Sequence, residues 1–194
     1  MDIKPYIALD IETTGLMEYD QVLQVAMIYD DGVTPIDGLE RISFLVDNSN
    51  EVYHGQLDPV AISMNAWIFK EIAYAAKAKS NHLILATEQA RNVFHEFLRS
   101  HYDPSGKSIT FAGKNVKDFD IASLRRNGFI TSANDGWISH RVIDIGSLYL
   151  QDFGYVPTQS EINRLTGRQP VSHDALDDAT DVVCAIRSKL KVPV

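Results

Sequence analysis

The stretch Tyr6-Ile7-Ala8-Leu9-Asp10-Ile11-Glu12-Thr13-Thr14-Gly15-Leu16 begins as an apolar run and carries two acids near its end. Side chains alternate faces along a strand, so Asp10 and Glu12 point the same way. Residues 22–29 are apolar and partly β-branched and predict a second strand, closed by the turn Asp30-Asp31-Gly32. Residues 41–46 alternate and predict a third. Short connections between the three imply an antiparallel meander.

The period then changes. Asp58 offers a cap and Pro59 a first helical position. Ala61, Ile62, Met64, Trp67, Ile68 and Ile72 follow at helical spacing, which predicts a helix to about residue 77, broken by Ser80-Asn81. A second helix is expected from Thr87, with Val93, Phe94, Phe97 and Leu98 as its stripe, ending at Asp103-Pro104-Ser105-Gly106. Residues 108–113 read as strand four. Asn115 opens a segment that turns helical by Phe119 and ends at Gly128 as a left-handed cap. Residues 141–145 read as strand five. Thr158-Gln159-Ser160-Glu161 forms a capping box for a short helix stopping at Gly167, and a last helix spans 174–190. The pattern predicts one five-stranded mixed sheet, three antiparallel strands then two parallel, covered by helices. Sites in such sheets gather at strand ends, where the strand order reverses.

Composition narrows the picture. The 194 residues suffice for one well-buried domain, and without repeats or linkers residues 1–194 read as a single domain. Lys plus Arg number 18 and Asp plus Glu 26, giving a net charge of -8. That balance argues against coating duplex DNA by charge alone. It leaves room for a nucleic-acid enzyme whose acids hold cations. The lone cysteine, Cys184, excludes an intrachain disulfide and a cysteine zinc cluster and fits a reducing compartment. The first strand starts within six residues of Met1, so no secretory signal is expected, and no apolar run has the ~20 residues that cross a bilayer. A soluble, cytoplasmic protein without membrane partners is the expectation.

Three places set acids against apolar framework: Asp10 and Glu12; the segment 113–124, with Asp118 and Asp120; and the segment 173–179 with its continuation, holding His173, Asp174, Asp177, Asp178 and Asp181. Two unit charges ~4 Å apart cost each other ~4 kcal/mol at an effective dielectric near 20. A chain that keeps such pairs holds a cation or a shared proton there, unless the strand end simply meets solvent. On the last helix Asp178 falls at the edge of the stripe Ala175, Leu176, Ala179, Val182, Val183, Ile186 and Leu190, whereas Asp177 and Asp181 are expected to face solvent. Asp118 and Asp120 cannot serve equally in a helical segment, because two residues rotate about 200°.

Taken in order, Asp-x-Glu-Thr-Thr-Gly-Leu at a strand end, an Asn-containing Phe-Asp-x-x-x-Leu, and His-x-x-x-x-Asp resemble the DEDD exonucleases of the His subtype, the DnaQ-like family that includes oligoribonuclease and ribonuclease T. The motifs span residues 6–183. The segment Leu57-Asp58-Pro59-Val60-Ala61-Ile62-Ser63-Met64-Asn65 is similar to one following the third strand in many members. The resemblance implies a ribonuclease H-like three-layer α/β/α fold, two divalent ions (magnesium or manganese), and removal of nucleoside 5′-monophosphates from the 3′ end of single-stranded DNA or RNA. It places the metals on Asp10, Glu12, Asp120 and Asp178 and makes His173 the general base. Asp120 lies five residues after Asn115, as in oligoribonuclease, where most members have four; Asp118 stays the alternative. Substrate contacts are expected at Thr13, Thr14, Leu16, Met64, Asn65 and Asn115. Met64 is equally an ordinary helix-core residue. Lys114, Lys117, Arg125 and Arg126 form a basic cluster that meets either phosphates or solvent. The other five histidines, His54, His82, His95, His101 and His140, read as structural or solvent-facing. Admitted partners are a second copy of the chain and a polymerase or other replication protein.

The chemistry suits these residue types independently. Phosphodiester hydrolysis needs a hydroxide, a stabilised phosphorus centre and a stabilised leaving alkoxide, and two ions ~3.5–4 Å apart supply all three. Hard divalent ions take oxygen ligands. A histidine, ordinarily titrating near 6.5, accepts the proton of water at working pH. Two rivals remain. An aspartyl phosphatase also ends its first strand in paired acids, but Glu12 and the late His-x-x-x-x-Asp disfavour it. The other is a non-catalytic scaffold of the same fold, which the full set of five residues disfavours.

Overall fold

The computed structural model describes residues 3–51, 58–75, 80–105 and 108–192. Strands β1 (Tyr6–Thr13), β2 (Val22–Asp30) and β3 (Arg41–Asp47) form the predicted meander. Helices α1 (Pro59–Met64) and α2 (Ala66–Tyr74) follow, then β4 (Ile84–Ala86), α3 (Thr87–His101) and β5 (Ile109–Gly113). A π-helical turn, Lys117–Ile121, leads into α4 (Ala122–Arg126). The chain continues through β6 (Ile138–Asp144), α5 (Ile145–Leu148), α6 (Leu150–Phe153), α7 (Gln159–Leu165) and α8 (Ala175–Leu190). Among the described residues, no helix is long and apolar enough to cross a membrane.

The sheet order is β4-β3-β2-β1-β5-β6. β1 pairs antiparallel with β2 and parallel with β5, so the strand order reverses at β1. The described sheet has six strands where five were expected. The extra strand, β4, is only three residues long and pairs parallel with the β3 edge, Leu45 opposite Ile84. The last strand starts at Ile138, three residues earlier than expected.

Alternation in β1 sorts the core. Ile7, Leu9 and Ile11 pack with Phe94, Phe97 and Leu98 of α3 and Leu124 of α4 on one face. Tyr6 and Ala8 pack with Ala179, Val182, Val183 and Ile186 of α8, with Ile145 of α5 and with Ile162 of α7 on the other. α2 closes a smaller cluster, with Ile68 over Leu23 and Leu45.

Local chemistry explains the element ends. The Thr158–Glu161 capping box starts α7. Gly128 adopts φ +73, the left-handed stop expected of it. The helix expected over 59–77 divides at Asn65, whose backbone leaves the helical range (φ -95, ψ 16) while its side-chain amide reaches Thr13 O at 3.0 Å. The tail of that expected helix, residues 76–79, lies outside the described residues, as do His54, Leu57 and Gly106.

Candidate active site

Asp10 and Glu12 sit at the carboxyl end of β1, on the face that α8 covers. Glu12 stands opposite Gln24 in the β1–β2 ladder, and Asp10 opposite Ala26 of the α8-side core. Glu12 is buried and Asp10 partly so. Asp120 arrives from the π-helical turn, where Ile121 N bonds to Val116 O at 2.9 Å, one residue wider than an α-helical turn. The turn buries Asp120 to 3% exposure and leaves Asp118 exposed. Asp120 Oδ1 accepts from Ile11 N at 3.2 Å, which pins it between the two β1 acids. Asp178 lies in the first turn of α8, buried, and accepts from Ser172 N at 3.2 Å. His173 precedes α8. One atom each from Glu12, His173 and Asp178 lie within 4.8 Å of one another. Residues up to 166 positions apart in sequence thus meet at one strand end.

Burial and the closeness of the acids set the direction in which each is shifted. Burial, followed by the charges of Asp120, Asp178, Glu12 and Asp174, holds the Asp10 carboxyl well above its usual range. Asp120 is also pushed well up, by burial first; its own backbone amide and that of Ile11 oppose the shift, and Glu12 adds to it. Burial lifts Glu12 to about 7, against an opposing hydrogen bond from Asn65 and with Asp178 and Asp174 adding. Asp178 is raised to about 6, by burial first, with the Ser172 amide opposing. Among the described residues no Lys or Arg forms an ion pair with any of the four. One buried polar atom beside them, Asn65 Oδ1, has no hydrogen-bond partner. Unpaired buried acids of this kind fit a divalent cation, which removes the repulsion and takes oxygen ligands.

The remaining expected contacts divide. Thr13 and Thr14 are buried in the loop after β1: Thr13 Oγ1 donates to Gly15 O at 2.6 Å, and Thr14 Oγ1 donates to Asp20 Oδ1 at 3.0 Å and accepts from Gln21 N at 2.9 Å. A Cβ at Gly15 would lie 2.6 Å from Asp20 Oδ2, so a side chain there would push aside the carboxylate that holds Thr14. Leu16 is thrust out at 74% exposure, and Met64 is 41% exposed, so Met64 is not helix core. Asn65 is buried beside Glu12. Asn115 is exposed, in the left-handed region at φ +57, with its backbone N–H bonded to Asp144 Oδ2 at 2.7 Å. In the basic cluster, Arg125 is paired with Asp135 at 2.6 Å. The described histidines other than His173 pack or face solvent: His101 stacks on Tyr29, His95 meets Trp137, His82 meets Trp67, and His140 is exposed.

One expectation is corrected. Asp181 does not face solvent; it is buried in an ion pair with Arg168 and accepts from Asn163 Nδ2. Helical geometry alone could not show a partner supplied by a loop 13 residues upstream. Asp174 also gains a place the spacing did not suggest. It caps α8, bonding Leu176 N at 2.9 Å, and its charge bears on both Asp10 and Glu12.

No family model matches the sequence, and no curated protein does. Solved structures do match in shape. A zinc-bound complex of E. coli ExoI with single-stranded DNA aligns over 97% of this chain and 41% of its own, at TM-score 0.67 and 16% identity. E. coli Exonuclease I bound to a 5cy-dT13 oligonucleotide aligns over 95% and 41%, at TM-score 0.62 and 14% identity. This chain therefore spans about two fifths of those proteins, and it shares with them the ribonuclease H-like fold.

Proposed function

We propose that the chain is one exonuclease domain, metal-dependent, that removes nucleoside 5′-monophosphates from the 3′ end of single-stranded nucleic acid. The observation that carries this reading is the meeting of Asp10, Glu12, Asp120 and Asp178 with His173 at the end of β1, the four acids unpaired by any Lys or Arg among the described residues. The likeness to exonuclease I structures holding single-stranded DNA supports the same reading and makes single-stranded DNA the first substrate to test.

The four carboxylates would hold two magnesium or manganese ions. When bound, such ions generate a nucleophilic hydroxide, neutralise charge at phosphorus and stabilise the leaving oxygen. The chain's own groups do the rest. His173, beside Glu12 and Asp178, takes the proton from the attacking water. Leu16 and Met64, exposed above buried neighbours, offer apolar contact to the terminal base. Such contact is sequence-tolerant and needs an unpaired end. Thr13 and Thr14 act by holding the loop that presents Leu16, and Asn65 by bracing Glu12 against Thr13 O. Asn115, exposed just after β5, is offered as a further substrate contact.

The test is digestion of 5′-labelled single-stranded DNA, single-stranded RNA and duplex DNA with magnesium or manganese. A ladder shortening from the 3′ end is expected, strongest on single strands. Asp10→Ala should cut the rate at least ~10³-fold, roughly 4 kcal/mol of transition-state stabilisation. Wild type with no activity on any of the three, in either metal, would sink the proposal.

A further inference from the structure

The backbone at His173 makes a costly turn. Its φ of +57 lies in the left-handed region, which a non-glycine residue occupies only where its surroundings enforce it. Two side chains that are not among the site's acids hold backbone groups at this turn.

The first is Gln24. It sits in β2 opposite Glu12 and is fully buried. Its Oε1 accepts from Ala175 N, the first amide of α8, at 3.0 Å. Its Nε2 lies 3.3 Å from Asp174 Oδ1 and 3.2 Å from Ser43 Oγ on β3. Helix starts are normally capped by the residue just before them. Here Asp174 does cap the Leu176 amide, but the preceding amide is held by a strand. That ties the start of α8 to the sheet one cross-strand pair away from Glu12.

The second is Trp67 of α2. Its Nε1–H donates to His173 O at 3.1 Å. Its ring is partly buried and meets His82 at 5.1 Å between centroids, so the indole is supported from behind. The carbonyl of His173 itself and the amide of Ala175, two residues on, are therefore both held, one from α2 and the other from β2. The imidazole is carried by the residue whose carbonyl Trp67 holds, and Asp178 follows three residues after Ala175, whose amide Gln24 holds.

We propose that Gln24 and Trp67 are positioning residues that clamp the left-handed His173 turn and so fix His173 and Asp178 against Glu12. The proposal rests on the exonuclease reading for what His173 does, but not for the clamp itself. Neither residue need touch substrate. A displacement of about 1 Å at a reacting group can cost on the order of 10²-fold in rate, so loss of one grip should appear in kcat and not in KM.

Trp67→Phe keeps the ring and removes only the donor; Gln24→Met keeps the length and removes both polar ends. Each is compared with wild type by steady-state exonuclease kinetics and by amide hydrogen exchange. Trp67→Phe should lower kcat about 10-fold at unchanged KM, with faster exchange confined to residues 172–176. Gln24→Met should do the same with a larger effect. The clamp is overturned if kcat stays within twofold in both, if KM rises in place of the fall in kcat, or if exchange rises equally in β1 and β5, which would make these residues mere supports of the fold. Should wild type itself prove inactive, the exonuclease reading fails, and the exchange at residues 172–176 still decides the clamp.

Discussion

Asp30 and Asp10 lie on neighbouring strands, β2 and β1, and their surroundings show opposite uses of an acid set into the sheet. Asp30 is fully buried and fully met. Arg187 of α8 donates Nε to Oδ2 at 3.0 Å and Nη2 to Oδ1 at 2.6 Å, Tyr6 Oη donates at 2.6 Å, and Gly32 N at 2.7 Å. Burial alone would raise its pKa, but the bonds from Arg187, Tyr6 and Gly32 overcome that and hold the carboxyl below its ordinary value. Asp10 has the reverse balance, with burial and three neighbouring site acids pushing it up. One helix closes both places: Asp178 near the start of α8 joins the crowd, and Arg187 near its end completes the pair. The chain evidently has the means to neutralise an acid where structure asks for it. At the other end four acids have no cationic partner among the described residues, which fits the proposal that they hold metal ions.

Substitution sharpens the contrast most. Arg187→Ala leaves Asp30 as an uncompensated buried charge and should cost about 3–5 kcal/mol of stability, read as a lower urea midpoint. Asp10→Asn removes one repelling charge without stranding a partner, so the metal-free protein should unfold at an equal or higher midpoint. If Asp10→Asn were instead the more damaging change, the account of the two acids would be reversed.

Cations should separate the two places by a smaller margin. Magnesium or manganese at 10–100 times its dissociation constant stabilises a protein that binds it only when folded by about 1.4–2.7 kcal/mol. Thermal melts with EDTA and with excess metal should show that gain in wild type and, in full, in Arg187→Ala. The gain should shrink in Asp10→Asn. A gain of equal size in all three would place the ions elsewhere.

The sequence revealed these two places unequally. Asp10 and Glu12 were legible because strand alternation puts residues two apart on one face, and Asp178 because helical rotation sets it at the edge of the apolar stripe. Both are local rules acting inside long, strongly patterned elements. Asp120 over Asp118 needed the family resemblance, since the segment winds as a π-helical turn that a 3.6-residue period does not describe. β4 was hidden because three residues carry no period and their strand character comes from the β3 edge. The Asp30–Arg187 pair joins residues 157 positions apart, and nothing local in either segment announces it. Gln24 reads as one polar residue in an apolar strand; its meaning lies in the helix start that folds onto it.

Acidity gives the smallest and finest test, because the two places should respond with opposite sign. In the metal-free protein Glu12 sits at about 7 against an ordinary 4.5, and Asp178 at about 6 against 3.8. A carboxyl raised by folding keeps its proton in the native state after the unfolded chain has lost it. Its contribution is complete below the ordinary pKa and disappears as pH rises through the folded value. Stability should therefore decline from about pH 4 through about pH 7, and the further-raised Asp10 and Asp120 act in the same direction. Asp30 is lowered below 3.8, so its contribution is present above that value and is lost as pH falls further into acid. The urea midpoint in EDTA should thus peak near pH 4 and fall towards neutrality. Metal binds the deprotonated acids, so saturating magnesium should flatten the neutral side of the curve and leave the acid side unchanged. Equal midpoints at pH 4.5 and pH 7.5 in EDTA would mean that the native acids carry no extra protons, and that the crowding at Asp10 is relieved by something other than protonation or a bound ion.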